Sequence, residues 1–140
     1  MKQRHSNCRL VYHVVIHTKC REHLIASPGD AETLLTFMKS KAHDLDSYIE
    51  EGGGWKEHLH LLLQSRPTVR LSDLYGQLKG YSATMWRKRY PHRPFKWGDG
   101  VFAKSVDPDN CFELREYIKN QWQRHESGLL VPEFERTDDS

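Results

Sequence analysis

Residues 55–64 read WKEHLHLLLQ, and the pattern of this stretch indicates a β-strand at the centre of the fold. Successive residues of a strand point to opposite faces of a sheet. The two faces are Leu59, Leu61 and Leu63 on one side, and His58, His60 and Leu62 on the other. The leucine face predicts a buried core, and the opposite face carries two imidazoles that can reach one metal ion.

Three further strands and three helices are predicted around this stretch. The strands cover residues 9–18, 45–51 and 95–106, and Gly52-Gly53-Gly54 reads as a hairpin turn before the central strand. The first two helices run from Asp30 to Asp44 and from Ser72 to Arg89, the second bent or broken at Gly80. The order β-α-β-β-α-β plus a terminal helix predicts an α+β fold of the ferredoxin-like (RRM-like) type. This is an antiparallel sheet with helices on one side and a C-terminal helix that carries a tyrosine.

The third predicted helix carries chemically useful side chains beside its core stripe. Asp107 is a good N-cap residue and Pro108 fits the first helical position. The apolar stripe is Cys111, Leu114, Ile118 and Trp122. Tyr117 and Gln121 lie four residues apart, so they share a neighbouring face that can border a cleft. Residues 1–125 are predicted to form one domain, and residues 126–140 a tail of unknown role.

Composition excludes several classes of protein. The chain has 140 residues, 29% of them charged and 11% aromatic, which is typical of a globular domain rather than a disordered one. No apolar run approaches the ~20 residues of a membrane span, and residues 1–5 lead into no signal peptide. Cysteines 8, 20 and 111 are odd in number and far apart, which argues against a disulfide framework. A cytoplasmic protein without membrane partners is expected.

Positive charge is concentrated in the middle of the chain. Residues 66–104 contain nine Lys or Arg against two Asp, a balance of +7, whereas the net charge of the whole chain is +2. Such a block favours a polyanionic partner, although ordinary solvated helix faces also carry lysine and arginine.

The two histidines, the tyrosine and the amide form a plausible site for metal-assisted attack on a phosphodiester. Imidazole suits several divalent ions, and a carboxamide oxygen shifts the preference towards Mg²⁺ or Mn²⁺. A phenol with an ordinary pKa of about 10 needs help from a metal or a base to act as a nucleophile. The alternative is structural: two histidines hydrogen-bonded beneath a helix, a packed tyrosine and a solvated glutamine.

Five motifs in order resemble those of the single-tyrosine HUH transposases of bacterial and archaeal insertion sequences. The His-hydrophobic-His motif is His58-Leu59-His60, and the tyrosine-helix motif is Tyr117-Ile118-Lys119-Asn120-Gln121. The other matching segments are residues 12–19, residues 78–83 and residues 97–106. The resemblance covers roughly residues 9–125.

The resemblance implies cleavage and rejoining of single-stranded DNA through a 5′-phosphotyrosine. Tyr117 would be the nucleophile, and His58, His60 and Gln121 would hold Mg²⁺ or Mn²⁺. The implied partners are single-stranded or hairpin DNA and a second copy of the chain, with active sites shared in a homodimer. A DNA-binding surface is then expected at Lys79, Arg87, Lys88, Arg89, Arg93 and Lys96.

Three other functions remain open at this point. One is a monomeric relative that processes palindromic repeats, and another is a non-catalytic nucleic-acid-binding module of the same fold. The third is a hydrolase that uses water and forms no covalent intermediate.

Overall fold

A four-stranded antiparallel sheet forms the centre of the molecule in the computed structural model, which describes residues 9–137. The strands are β1 (Leu10–His17), β2 (Ser47–Trp55), β3 (His58–Ser65) and β4 (Phe102–Val106), in the order β2-β3-β1-β4. The predicted features at residues 1–8, Cys8 among them, and at residues 138–140 lie outside the described part of the chain.

Five helices accompany the sheet in the described residues. They are α1 (Pro28–Asp44), α2 (Leu71–Arg89), α3 (Phe112–Lys119), α4 (Gln121–Ser127) and α5 (Pro132–Glu135), with a short 3₁₀ turn at Lys19–Arg21. The β-α-β-β-α-β order confirms the predicted ferredoxin-like α+β fold. None of the helices in residues 9–137 is both long enough and apolar enough to cross a membrane.

The two faces of β3 are buried by different helices. The sequence predicted a core on the leucine face and left burial of the histidine face open. The leucine face packs in one cluster with residues of α1 and α2, among them Met38, Leu78 and Trp86. On the opposite face, Leu62 packs with residues of α3 and its flank in a second cluster: Val11, Leu62, Cys111, Leu114 and Ile118. The histidines of β3 therefore face α3 and α4 rather than solvent.

The prediction of a hairpin turn at Gly52-Gly53-Gly54 is wrong, because all three glycines lie inside β2. The turn is instead formed by Lys56 and Glu57. A Cβ atom built on Gly53 would lie 1.8 Å from the carbonyl oxygen of Ile118, and one on Gly52 would lie 2.4 Å from a methyl carbon of Leu35. The glycines allow helices to approach both faces of the strand closely.

Gly53→Ala is expected to lower the free energy of unfolding by about 1–3 kcal/mol, because the Ile118 carbonyl belongs to the backbone and must move with its helix. The thermal midpoint, measured by circular dichroism, should fall by about 3–10 °C. Gly76→Ala is the matched control. A Cβ at this position of α2 meets nothing within 4 Å, so it should raise stability by about 0.4–1 kcal/mol. A Gly53→Ala protein as stable as the wild type would contradict the close contact.

Three other predicted boundaries are also corrected. Helix α2 runs unbroken through Gly80, and Ser72 lies inside it rather than at its N-cap. The fourth strand is shorter than residues 95–106, because residues 98–101 leave the ladder and only an isolated bridge joins Trp97 to Thr18.

The predicted third helix is in fact two helices preceded by a turn. Asp107 accepts a hydrogen bond from the Asp109 amide (2.9 Å) in that turn, so α3 begins only at Phe112. The helix ends at Asn120, which has non-helical dihedral angles (φ −102°, ψ 25°). This break turns Gln121 fully into the interior and leaves Trp122 only partly buried. The break therefore directs the amide of Gln121 into the interior, whereas a continuous helix would have directed the apolar side chain of Trp122 there.

Candidate active site

Strand β3 and the two helices after β4 bring the predicted site residues into one buried cluster. His58 and His60 project from the same face of the strand, as expected from their spacing. The oxygen Oε1 of Gln121 lies 2.9 Å from Nε2 of His58, and the Tyr117 ring centroid lies 6.2 Å from that of His60. The structure thus brings together, within a single chain, the two histidines, the tyrosine and the glutamine that the sequence analysis predicted to form a metal-dependent site.

The outer ring nitrogens of both histidines have partners. The Nδ1 atom of His58 contacts the carboxylate of Glu57, and Nδ1 of His60 lies 2.8 Å from Nε2 of His13. Burial is the main cause that lowers the pKa of His13 to about 3, so this neutral ring can accept a hydrogen bond from His60. Partners at Nδ1 fix the rings, so that Nε2 is the nitrogen of each histidine that could bind a metal.

The inner nitrogens of the histidines point into a space lined by polar atoms. His60 is completely buried, and its Nε2 atom has no hydrogen-bond partner among the described residues. Oε1 of Gln121 also lies 2.7 Å from Nε2 of His125. A buried imidazole nitrogen left unpaired is costly, and a bound cation would satisfy it. The donor set of imidazoles and a carboxamide fits a divalent metal ion.

Tyr117 is almost fully buried and its hydroxyl is already engaged. It donates a hydrogen bond to the carboxylate of Glu135 and accepts one from the Val131 amide (3.3 Å). Burial, followed by the contact with Glu135, raises the pKa of Tyr117 to about 12. The Arg124 guanidinium lies 4.9 Å from the centroid of the ring. The phenol is therefore neutral in this arrangement.

Two carboxylates control the charge of His58. Burial opposes its protonation, but contacts with Glu135 and Glu57 outweigh burial and raise the pKa of His58 to about 9. In return, the contacts of its carboxylate with His125, His58 and His60 hold the pKa of Glu135 well below its usual range despite burial.

Sequence reasoning missed four residues of this cluster: His13, Glu57, His125 and Glu135. A signal was available for His125, because it follows Gln121 by four residues and so lies on the same helical face. His13 is on the face of β1 that matches the histidine face of β3. Nothing in the sequence pattern points to Glu135, which lies in the tail for which no role was predicted.

Five of the six predicted DNA-binding residues fall into two groups. Lys79, Arg87 and Lys96 line one groove beside Trp97 and Gly98. Lys88 and Arg89 are exposed in the last turn of α2.

Arg93 is held within the protein. Its guanidinium lies 3.3 Å from Oδ1 of Asp30 and 4.8 Å from the centroid of the Trp86 ring. Trp86 itself is completely buried. Arg93 therefore has a carboxylate partner within the protein, whereas Lys79 and Arg87 of the groove donate to the backbone carbonyls of Gly100 and Phe95.

A second cavity lies beside the basic groove. Its lining includes His17, Arg21, Gly98 and residues 100–103, so Gly98 borders both cavities. The His17 ring lies 5.5 Å from that of His58. A path along the surface therefore leads from the basic groove to the edge of the site.

Comparison with known proteins agrees with this geometry. The family model for IS200-like transposases matches residues 6–121, a span that includes both histidines, Tyr117 and Gln121. The chain belongs to the IS200-like transposase family. It is also 26% identical over 137 residues to the transposase for insertion sequence element IS200 of Salmonella typhimurium, covering 83% of this chain and 88% of that protein. An IS200 transposase from Salmonella typhi matches equally well.

Two solved structures of transposases share the fold. One is the crystal structure of a proposed transposase from Deinococcus radiodurans, with a TM-score of 0.69 and 23% identity over 87% of this chain and 98% of the other. The other is a REP-associated tyrosine transposase bound to a REP hairpin, with a TM-score of 0.61 and 11% identity over 93% and 76%. At these identities, the likeness supports the fold of this IS200-like family member and not its details.

Proposed function

We propose that this chain cleaves and rejoins single-stranded DNA in the cytoplasm through a 5′-phosphotyrosine on Tyr117, with His58, His60 and Gln121 holding Mg²⁺ or Mn²⁺. The observation that carries the proposal is the meeting of a tyrosine hydroxyl, two imidazoles of one strand and a buried carboxamide in one cluster. Family membership supports transposition as the biological use of this chemistry.

The covalent step transfers a phosphoryl group without net hydrolysis. The Tyr117 oxygen attacks the scissile phosphorus, a bond from Oη to phosphorus forms, and the bond from phosphorus to the 3′-oxygen breaks. The phenolic proton leaves Tyr117, and the departing strand ends as a free 3′-OH. A second 3′-OH reverses the step, so the phosphodiester energy is retained and no nucleotide cofactor is required.

The metal and the surrounding residues have separate tasks. A bound divalent ion would neutralise charge on the scissile phosphate and polarise it. His58 and His60 are kept in a ligating orientation by Glu57 and His13. Because the pKa of Tyr117 is about 12, its proton has to be removed during attack rather than beforehand.

We propose that the single-stranded DNA enters the protein surface at the basic groove. Lys79, Arg87 and Lys96 offer phosphate contacts there, and the cavity beside His17 continues towards His58. Lys88 and Arg89 extend the positive surface. Arg93 belongs to this surface only if DNA replaces Asp30 as its partner.

An end-labelled cleavage assay tests the proposed function. The purified chain would be incubated with Mn²⁺ or Mg²⁺ and single-stranded DNA from the flanks of its own gene, and then analysed on a denaturing gel. The proposal predicts a protein-linked product that retains the label at the 3′ end of the DNA, and a released 5′-labelled fragment. Cleavage without linked product would indicate a water-using hydrolase, and binding without cleavage would favour a non-catalytic module.

The assembly expected from the family resemblance is a homodimer with shared active sites. A second candidate is a monomeric enzyme that acts on palindromic repeats. It is favoured by the position of Tyr117 beside His60 of the same chain.

Mixing two inactive variants separates these assemblies. Tyr117→Phe and His60→Ala proteins would be combined in equal amounts after brief partial unfolding, and covalent adducts would be counted. In exchanged homodimers, about one quarter of the sites would regain both residues, because one subunit supplies the histidines and the other the tyrosine. The arrangement within this chain predicts no recovery. Recovery near one quarter, together with a dimeric mass by light scattering, would establish shared sites.

A further inference from the structure

The C-terminal segment folds back over the histidine cluster. Helix α4 ends at Gly128, whose positive φ (72°) reverses the chain direction. The returning segment is fixed by the contact of the Val131 amide with Tyr117, and by Phe134, whose ring lies 5.2 Å from that of Tyr117. Glu135 is thereby carried into the site from a part of the chain that lies beyond residues 6–121, the span of the family match.

One oxygen of Glu135 is surrounded by imidazole nitrogens. Its Oε1 atom lies 3.4 Å from Nε2 of His60, 3.4 Å from Nε2 of His125 and 3.5 Å from Nε2 of His58. Charge-assisted hydrogen bonds between nitrogen and a carboxylate oxygen are shorter, about 2.7–2.9 Å. Three contacts of nearly equal and longer spacing therefore do not describe a well-formed ion pair.

These spacings match the edges of a coordination polyhedron. Ligand atoms held about 2.1 Å from a divalent ion are about 3.0–3.4 Å apart in octahedral or tetrahedral geometry. Oε1 of Gln121 lies at 2.9 and 2.7 Å from the inner nitrogens of His58 and His125, which completes the set. The ligand atoms of His58, His125 and Glu135 all lie within 4.8 Å of one another. His60 stands outside this group and approaches it through its 3.4 Å contact with Glu135. The Nε2 atom of His60 makes no hydrogen bond within the described residues, which leaves it available to an ion at the same place.

We propose that His125 and Glu135 are additional metal ligands, so that three imidazoles, one carboxamide and one carboxylate surround the ion. This inference rests on the metal site of the proposed function. Bound by these residues, the ion would still be able to accept a phosphate oxygen of the DNA. Mg²⁺ prefers oxygen ligands and dehydrates reluctantly, whereas imidazole suits transition metals. The site is therefore selective for a Mn²⁺-type ion over Mg²⁺.

Direct metal titration tests this assignment without any DNA cleavage. The full chain, stripped with chelator, would be titrated with Mn²⁺ by calorimetry, and free Mn²⁺ would be followed by electron paramagnetic resonance. Glu135→Gln is expected to weaken Mn²⁺ binding by about 10-fold or more, and His125→Ala by a similar factor. Competition should show Mg²⁺ binding at least about 10-fold more weakly than Mn²⁺.

Two further variants keep the outcomes distinct. Glu133→Gln is the matched control, because Glu133 is an exposed carboxylate of the same short helix and should bind Mn²⁺ like the wild type. Co²⁺ absorption spectra add a readout of ligand identity that loss of folding alone would not mimic. Unchanged or tighter Mn²⁺ binding in Glu135→Gln, with binding lost in His60→Ala, overturns the role of Glu135 and leaves the three-ligand site standing. Absence of Mn²⁺ binding by the wild type overturns both.

Discussion

Replacing Tyr117 by phenylalanine is expected to abolish the covalent protein–DNA product while leaving DNA binding nearly unchanged. Phenylalanine removes only the nucleophilic oxygen and keeps the ring that packs near His60 and Phe134. Loss of a nucleophile typically costs orders of magnitude in rate, so adduct formation should fall by at least about 1,000-fold. DNA affinity, measured by fluorescence anisotropy, should change by less than about 3-fold.

Tyr48→Phe is the matched control for this substitution. Tyr48 lies on β2 and its side chain is 64% exposed, so the same loss of a hydroxyl should leave adduct formation at the level of the wild type. Residual adduct in the Tyr117→Phe protein, at more than a few per cent of the wild-type level, would show that another residue attacks the DNA.

His60→Ala is expected to eliminate both Mn²⁺ binding and metal-dependent cleavage. The completely buried Nε2 atom of His60 makes no hydrogen bond within the described residues, and alanine removes the ligand outright. Cleavage should fall by at least about 100-fold, and added metal should no longer raise the melting temperature. Chelator treatment of the wild type should reproduce the loss, and added Mn²⁺ should reverse it.

The control for this prediction is another histidine far from the cluster. His43→Ala changes an exposed residue in the last turn of α1 and should leave metal binding and cleavage intact. Retained Mn²⁺ binding in the His60→Ala protein would contradict the proposed position of the metal.

Strand periodicity carried most of what could be predicted from the sequence. The alternation around His58 and Leu59 predicted which side chains meet the core and which lie on the opposite face, because each strand residue has only two possible directions. The β-α-β-β-α-β order likewise followed from local patterns. The faces of a strand and the order of helices and strands both depend on residues that are close together in the sequence, so they can be predicted without knowing the fold.

The errors arose where tertiary contacts override local signals. A run of glycines at 52–54 indicates a turn locally, but here it serves the approach of helices to both faces of β2. The break at Asn120 has no proline or glycine to announce it, yet it directs Gln121 inward. Glu135 reaches the site only because the chain reverses at Gly128, and such a long-range contact leaves no periodic trace.

Peptide mapping of the covalent product is the most direct test of the central claim, that Tyr117 carries the DNA. The adduct formed with Mn²⁺ would be digested with trypsin and nuclease, and the modified peptide would be sequenced by tandem mass spectrometry. The account predicts a nucleotide attached through its 5′-phosphate to Tyr117. Attachment to any other residue, or cleavage that leaves every peptide unmodified, would contradict it.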